Sequence, residues 1–322
     1  MDIPKGTNVS AMTDRCRGAI WGQFIGDAAC IAMPALGTSP KGIGLFEQPT
    51  QTQSQEGKQP GELTHYGEAA LLMLQSVAEL GYFSAPDFGP RFIAHFSAED
   101  YRGHLDQATK GTIDNYRAYV DKRPGASYHF QGGADDDQPS TLTRLAPVVV
   151  NRYQQESLLK VVEAAIRVCQ DNQRAVVYAK CHALIIKELL LGNGLADAVK
   201  KAAKAVTGDG EPGKEIASAI EAVNGMLQNE VHAVTTQLGN GAALKSCFPA
   251  ALHCALKLQD DFQQAILQTA KTGGECAARA ALVGTWLGAL HGVQGIPAEW
   301  RNRLKAQEEI EGCIEKIVAK VR

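Results

Sequence analysis

Six acidic side chains of this chain, Asp27, Glu68, Asp135, Asp136, Asp137 and Glu275, stand beside glycine-rich or helix-starting segments that could gather them. Grouped carboxylate oxygens suit a hard cation such as Mg²⁺ or Ca²⁺, and so many acids in one place are costly without one. The run Asp135–Asp137, entered through Gly132 and Gly133, taken by itself fits a solvent-facing acidic capping loop better than a cation site. Gly273 and Gly274 open a second such segment, where free N–H groups at a helix start could cradle a phosphate. Glu275 at the first turn of that helix opposes an anion, and a buried helix with a glycine start and no chemistry explains the same residues. His65 and Tyr66 could act as an acid/base pair, although a histidine beside a helix cap more often only hydrogen-bonds. Cys276 sits where a helix start favours a thiolate, but its neighbour Glu275 works against that, so packing is the expected role. Arg144 and Arg279 could clamp phosphate, and are expected instead to pair with the Asp135–Asp137 run.

The elements that must position these groups read as helices almost throughout, with no convincing strand. Asp14 is expected to cap a first helix in which Gly18, Gly22 and Gly26 recur every four residues, allowing close packing. After Gly274, Ala280, Gly284, Gly288 and Gly292 repeat the same spacing. The two helices read as partners, the second as the centre of an all-α core. Thr64 is a plausible N-cap for a helix ending at Gly81, and a further helix through HLDQATKGTIDNYRAYVDK stops at Pro124 and Gly125. Arg144 is expected on a helix ending near Pro147. Four or five long helices follow from Ser157 and then DDFQQAILQTAKT leads into Gly273, with short glycine-bearing connections, the pattern of antiparallel neighbours in a bundle. A charged outer helix begins at Pro297. Residues 37–61, rich in Gly, Pro, Gln, Ser and Thr, predict a mobile surface loop. No fixed repeat returns along the chain, so the expectation is one domain over residues 1–322.

Composition excludes several functions. With 45% hydrophobic residues among 322 there is ample material for a core. Lys plus Arg is 32 and Asp plus Glu is 35, a net charge of −3, with no basic run to track nucleic acid or an anionic membrane. No apolar run reaches the ~20 residues that span a bilayer, and the first residues lack a secretory pattern. A cytoplasmic protein with at most weak self-association is expected. The eight cysteines include no CxxC pair and read as reduced, mostly buried thiols.

Four segments, RGAIWGQFIGDAA, LTHYGEAALLMLQ, GGADDDQPSTLTRLAP and GGECAARAALVGTWLGALHG, stand in this order along the chain. Together they resemble the motifs of the ADP-ribosylglycohydrolase superfamily. HLDQATKGTIDN, the GGADDD loop and the closing GIPAEW resemble most the branch that holds selenoprotein J and the J-type lens crystallins of jellyfish. The resemblance implies a compact all-α orthogonal bundle with a cleft built by the motif loops. It also implies two Mg²⁺ ions held by a Thr-Asp-Asp and an Asp-x-Asp motif against ADP-ribose. Here Thr64 matches, His65 and Tyr66 stand at the two aspartates, and Glu275 and Ala277 stand at the second pair. The acid that follows GDA in hydrolases is missing after Asp27 and Ala28.

The departures imply a structural protein of the lens-crystallin type on a degenerate hydrolase fold, with no cofactor. The alternative is a surviving glycohydrolase that builds an acidic Mg²⁺ site from Asp27, Glu68, Asp136 and Glu275. In it Gly132, Gly133, Gly273 and Gly274 would hold ADP-ribose. A third option is a non-catalytic ADP-ribose binder that uses the Gly273–Gly274 turn.

Overall fold

The protein is described by a computed structural model over residues 9–31 and 58–320. The loop expected at 37–61 falls outside the described residues as far as position 57. Its last residues are tied down: Lys58 pairs with Glu68, and the Gly61 carbonyl accepts from Lys305 N at 2.9 Å.

Among the described residues the backbone forms fifteen α-helices and no strand. They are α1 (Val9–Ala29), α2 (His65–Leu80), α3 (Ala85–Phe96), α4 (Gln107–Lys122), α5 (Ala146–Arg152), α6 (Leu158–Arg167), α7 (Gln173–Leu190), α8 (Leu195–Val206), α9 (Gly210–Gly225), α10 (Val231–Leu238), α11 (Leu244–Lys257), α12 (Phe262–Lys271), α13 (Cys276–His291), α14 (Ala298–Asn302) and α15 (Gln307–Val318). A single parallel bridge, Ala134 to Gln170, is the nearest approach to a sheet.

The centre is the antiparallel pair α1 and α13. Gly18, Gly22 and Gly26 face Gly288, Gly284 and Ala280, backbone against backbone. A β-carbon on Gly22 would overlap the carbonyl of Gly284, and one on Gly284 the carbonyl of Gly22. Only glycine permits that approach. Both helices are buried around their circumference over most of their length: α13 continuously from Ala277 to Ala289, and α1 continuously from Gly18 to its end, with Ile20, Trp21, Phe24 and Ile25 in the core. Such helices belong inside a helical shell. Outer helices such as α8 show one apolar stripe instead: Leu195, Ala198, Val199, Ala202 and Val206 are buried and the lysines face out. On the other side α15 lies across α1, where Trp21 Nε1 donates to Glu311 at 2.7 Å and Arg17 pairs with Glu311 and Glu315.

Three local expectations are corrected. Helix α1 is already running at Val9, so Asp14 lies inside it and does not cap it. Met12 is buried in the core, and that burial carries the helix further towards its N-terminus than the cap signal suggests. Pro147 stands in the first turn of α5 and does not end a helix; its missing N–H costs nothing there. Arg144 belongs to a 3-10 turn, Leu142–Arg144, before it. The outer helix after Pro297 is two helices, α14 and α15.

Candidate functional site

Where the motif segments meet, an open cavity of about 690 Å³ is lined by Tyr66, His104, Asp106, Lys110, Asp135, Gln138 and Glu275, among others. Thr64 places the first of these. It caps α2, with its hydroxyl accepting from Tyr66 N at 3.1 Å, and so sets His65 and Tyr66 in the first turn. The same threonine is locked to α1. Its N–H donates to Asp27 Oδ2 at 2.8 Å, its hydroxyl donates to Asp27 Oδ1, and Gly67 N donates to Oδ1 at 3.1 Å. Both oxygens of Asp27 are thus occupied by protein donors. Burial is the largest influence on this carboxyl, and it outweighs those donors to push the pKa up to about 6.

Tyr66 is buried and its hydroxyl donates to Glu275 Oε2 at 3.0 Å, which joins the start of α2 to the start of α13. Burial, and then the charge of Glu275, drive its pKa well above the ordinary tyrosine value. The ring of His65 lies tilted against that of Tyr66, 3.9 Å between centroids, and its Nε2 lies 3.6 Å from Asp106 Oδ2. Ala277 sits in a small apolar cluster with Cys30, Tyr66, Cys247 and Ala280.

Asp106 is the residue that sequence reading missed. It caps α4 through Thr109 N at 2.7 Å and accepts from Ser140 Oγ at 2.5 Å, nearly out of solvent. Burial opposes its ionisation, but His65, Ser140 and Thr109 outweigh it and hold this carboxyl well below the usual aspartate range. The aspartate two residues after His104, at the head of the helical pattern QATKGTIDNY, carried the signal of an N-cap.

The three consecutive aspartates part company. Asp135 lines the cavity and accepts from Asn172 Nδ2 at 2.7 Å. Asp136 turns inward and accepts from Gln170 Nε2 at 2.9 Å and Gln138 N at 3.1 Å; burial raises its pKa. Asp137 pairs with Arg174 at 2.9 Å. The arginines expected to serve this run are elsewhere. Arg144 is buried over the rings of Phe88 and Phe92, at 5.5 and 5.1 Å, and donates to Thr141 Oγ1. Arg279 donates to the carbonyls of Asn240, at 2.9 Å, and Gly273, and to Thr272 Oγ1. Each is spent on carbonyls, hydroxyls or rings inside the core, although the Nε of both finds no hydrogen-bond partner among the described residues.

Glu68 faces away from the cavity that holds Glu275. It lines a separate hollow of about 470 Å³ with Lys58, His95 and Tyr101, whose hydroxyl donates to it at 2.8 Å. Gly273 and Gly274 both take positive φ, 65° and 55°. Three N–H groups around that turn are already used: Gly273 N donates to Ala270 O, Glu275 N to Asn240 O and Cys276 N to Gly274 O. Gly133 packs on the backbone of Cys169 and Gln170, and its N–H donates to Arg167 O at 3.0 Å. The Gly132 carbonyl accepts from Tyr128 at 3.0 Å and from Asn115. Among the described residues, no three His, Cys, Asp or Glu side chains form a set that could hold a metal ion.

An all-helical fold with its cleft at these loops has known counterparts. The ADP-ribosylglycohydrolase profile matches residues 8–322, and the chain belongs to that family. Among similar proteins, crystallin J1A of Tripedalia cystophora is 23% identical over 315 residues, covering 94% of this chain and 96% of its own. Crystallin J1B of the same jellyfish is 25% identical over 320 residues, covering 92% and 94%. An uncharacterized protein of Archaeoglobus fulgidus is 24% identical over 312 residues, covering 95% and 96%. A solved ADP-ribosylglycohydrolase-related protein complex superposes with a TM-score of 0.69 over 97% of this chain and all of that one. It is 20% identical, and the likeness bears on the fold alone.

Proposed function

We propose that this chain is a structural, crystallin-type member of its family, a single cytoplasmic domain in a lens-like role whose cleft no longer holds the hydrolases' two-cation centre. One observation carries the reading: the positions where that centre needs free carboxylates are filled by contacts within the protein. His65 turns to Asp106, Tyr66 donates to Glu275, and Ala277 packs among apolar side chains. Asp27, the acid that remains on α1, has both oxygens engaged by Thr64 and Gly67. Mg²⁺ requires near-octahedral oxygen ligation, and this donor set does not fit two such ions. The acids of a rebuilt site are also held apart, Glu68 in the second hollow and Asp136 against Gln170.

The test is turnover of ADP-ribosyl-arginine and ADP-ribosyl-serine substrates with Mg²⁺, beside calorimetric titration with Mg²⁺. No turnover and no Mg²⁺ heat are expected. The combined His65→Asp, Tyr66→Asp and Ala277→Asp variant is the smallest change expected to restore cation binding. Turnover by the unmodified protein that Glu275→Ala or Asp136→Ala abolishes would overturn the reading. One observation favours a second, ligand-binding reading: the 690 Å³ cleft persists and is lined by Lys110, Asp106 and Gln138. Calorimetry with ADP-ribose alone decides it, because a purely structural protein gives no saturable heat.

A further inference from the structure

The contact between α1 and α13 has a fixed register. Gly18 meets Gly288, Gly22 meets Gly284 and Gly26 meets Ala280, so four residues forward on α1 are matched by four back on α13. One more step sets Cys30, in the turn that ends α1, opposite Cys276, the first residue of α13. The glycines bring the two backbones into contact, so side chains at the end of this seam meet at short range. Cys30 and Cys276 lie in one cluster with Tyr66, Cys247 and Ala277, and their thiols share a hydrogen bond. Of the eight cysteines, all free, Cys276 is the one that is not buried.

The two thiols are unequal. The hydrogen bond from Cys30 lowers the pKa of Cys276 against the effect of burial, with Arg279 adding its charge. Burial raises that of Cys30 well above the ordinary thiol value. A half-buried cysteine whose thiol is drawn towards ionisation, beside a buried partner, is the layout of an attacking and a resolving cysteine.

We propose that Cys276 and Cys30 are a reversible redox-modification site, closing to a disulfide that joins the end of α1 to the start of α13 when a low-molecular-weight disulfide of the glutathione type reacts at Cys276. The Cys276 thiolate attacks one sulfur of that disulfide, forming a mixed disulfide and expelling one thiolate. Cys30 then loses its proton to solvent, its sulfur attacks Cys276 Sγ, and the second small thiolate leaves. Two electrons pass from the protein thiols to the small disulfide, and an excess of small thiol reverses both steps. The neighbour of Cys276 is Glu275, which holds Tyr66 at the cleft, so the staple fixes one wall of the cavity. The proposal stands whether or not the cleft binds anything.

An aromatic disulfide that releases a coloured thiolate tests it on the full chain. The native protein is expected to release two coloured ions per chain in its fast phase, twice the yield of Cys30→Ser, which keeps a mixed disulfide at Cys276. Cys276→Ser is expected to lose the fast phase. Release of a single ion by the native protein, or an unchanged fast phase in Cys276→Ser, overturns the proposal. A measurement on the unmodified protein covers variants that fail to fold. After treatment with glutathione disulfide, alkylation and digestion, mass spectrometry should find the Cys30 and Cys276 peptides linked. Glutathione retained on Cys276 beside an alkylated Cys30 rules the pair out.

Discussion

Asp27 and Asp106 are both buried, yet their surroundings drive them in opposite directions. Asp27, raised to about 6, binds protons in the folded state that the unfolded chain has released, so its share of stability is complete below the ordinary aspartate range. It is lost as pH rises through about 6, an effect on the order of 3 kcal/mol for a shift of roughly two units. Asp106, held low, contributes stability above the ordinary aspartate value and loses it as pH falls through its lower folded-state value. Urea unfolding midpoints followed from about pH 3 to 7 should therefore show a flatter acid limb in Asp106→Asn. Asp27→Asn should lose the decline between about pH 4 and 6 and be weaker overall by about 2 kcal/mol, because an amide NH₂ would then face donors from Thr64 or Gly67. At this scale the sequence disclosed the departures from the hydrolase motifs at His65, Tyr66 and Ala277, which sit at fixed offsets from Thr64 and Glu275. It did not disclose Asp106. That residue reaches the site because α4 starts beside α2, a relation between elements more than thirty positions apart.

Among the elements, α1 and α13 show how spacing can report a contact directly. Small residues every four positions along two helices point to close approach, and the pairing could be read before any coordinates. Pro147 shows the opposite: proline is compatible with either side of a helix boundary, and only the buried turn around Arg144 decides which. Phe83 to Phe96 sets Phe88, Phe92 and Phe96 at helical spacing but also carries Pro86, Gly89 and Pro90, and Val231 to Leu238 keeps that spacing over only 8 residues, so both were legible as helices only in the structure. The glycines are not alike, and substitutions should separate them. Gly22→Val forces a side chain into the Gly284 carbonyl and should cost about 3 kcal/mol or more, or prevent folding. Gly312, exposed within α15 with nothing near its missing β-carbon, should accept alanine with a gain of up to about 1 kcal/mol. Thermal unfolding of both variants checks the contrast; an equal effect would mean that helix contact is not what holds α1 to α13.

For the whole molecule, no helix among the described residues is long and apolar enough to cross a membrane, and the net charge is only −3. With a sequence pI near 6.3, repulsion between copies should weaken as pH falls towards that value. Light scattering of concentrated solutions should then show the second virial coefficient decreasing from pH 8 to about 6.3, and a flat profile would show that charge does not govern association. The central helix pair has a consequence for how the protein is made. Helix α1 leaves the ribosome before α13, the surface it is shaped to touch, which comes after all of α2 to α12. At ordinary translation speed roughly 10 to 50 s separate them. Through that interval a nascent α1 carries Trp21, Phe24 and Ile25 with its glycine face unmatched. A chain that stops short of α13 releases a fragment built around an empty groove, a natural client for chaperones and proteases.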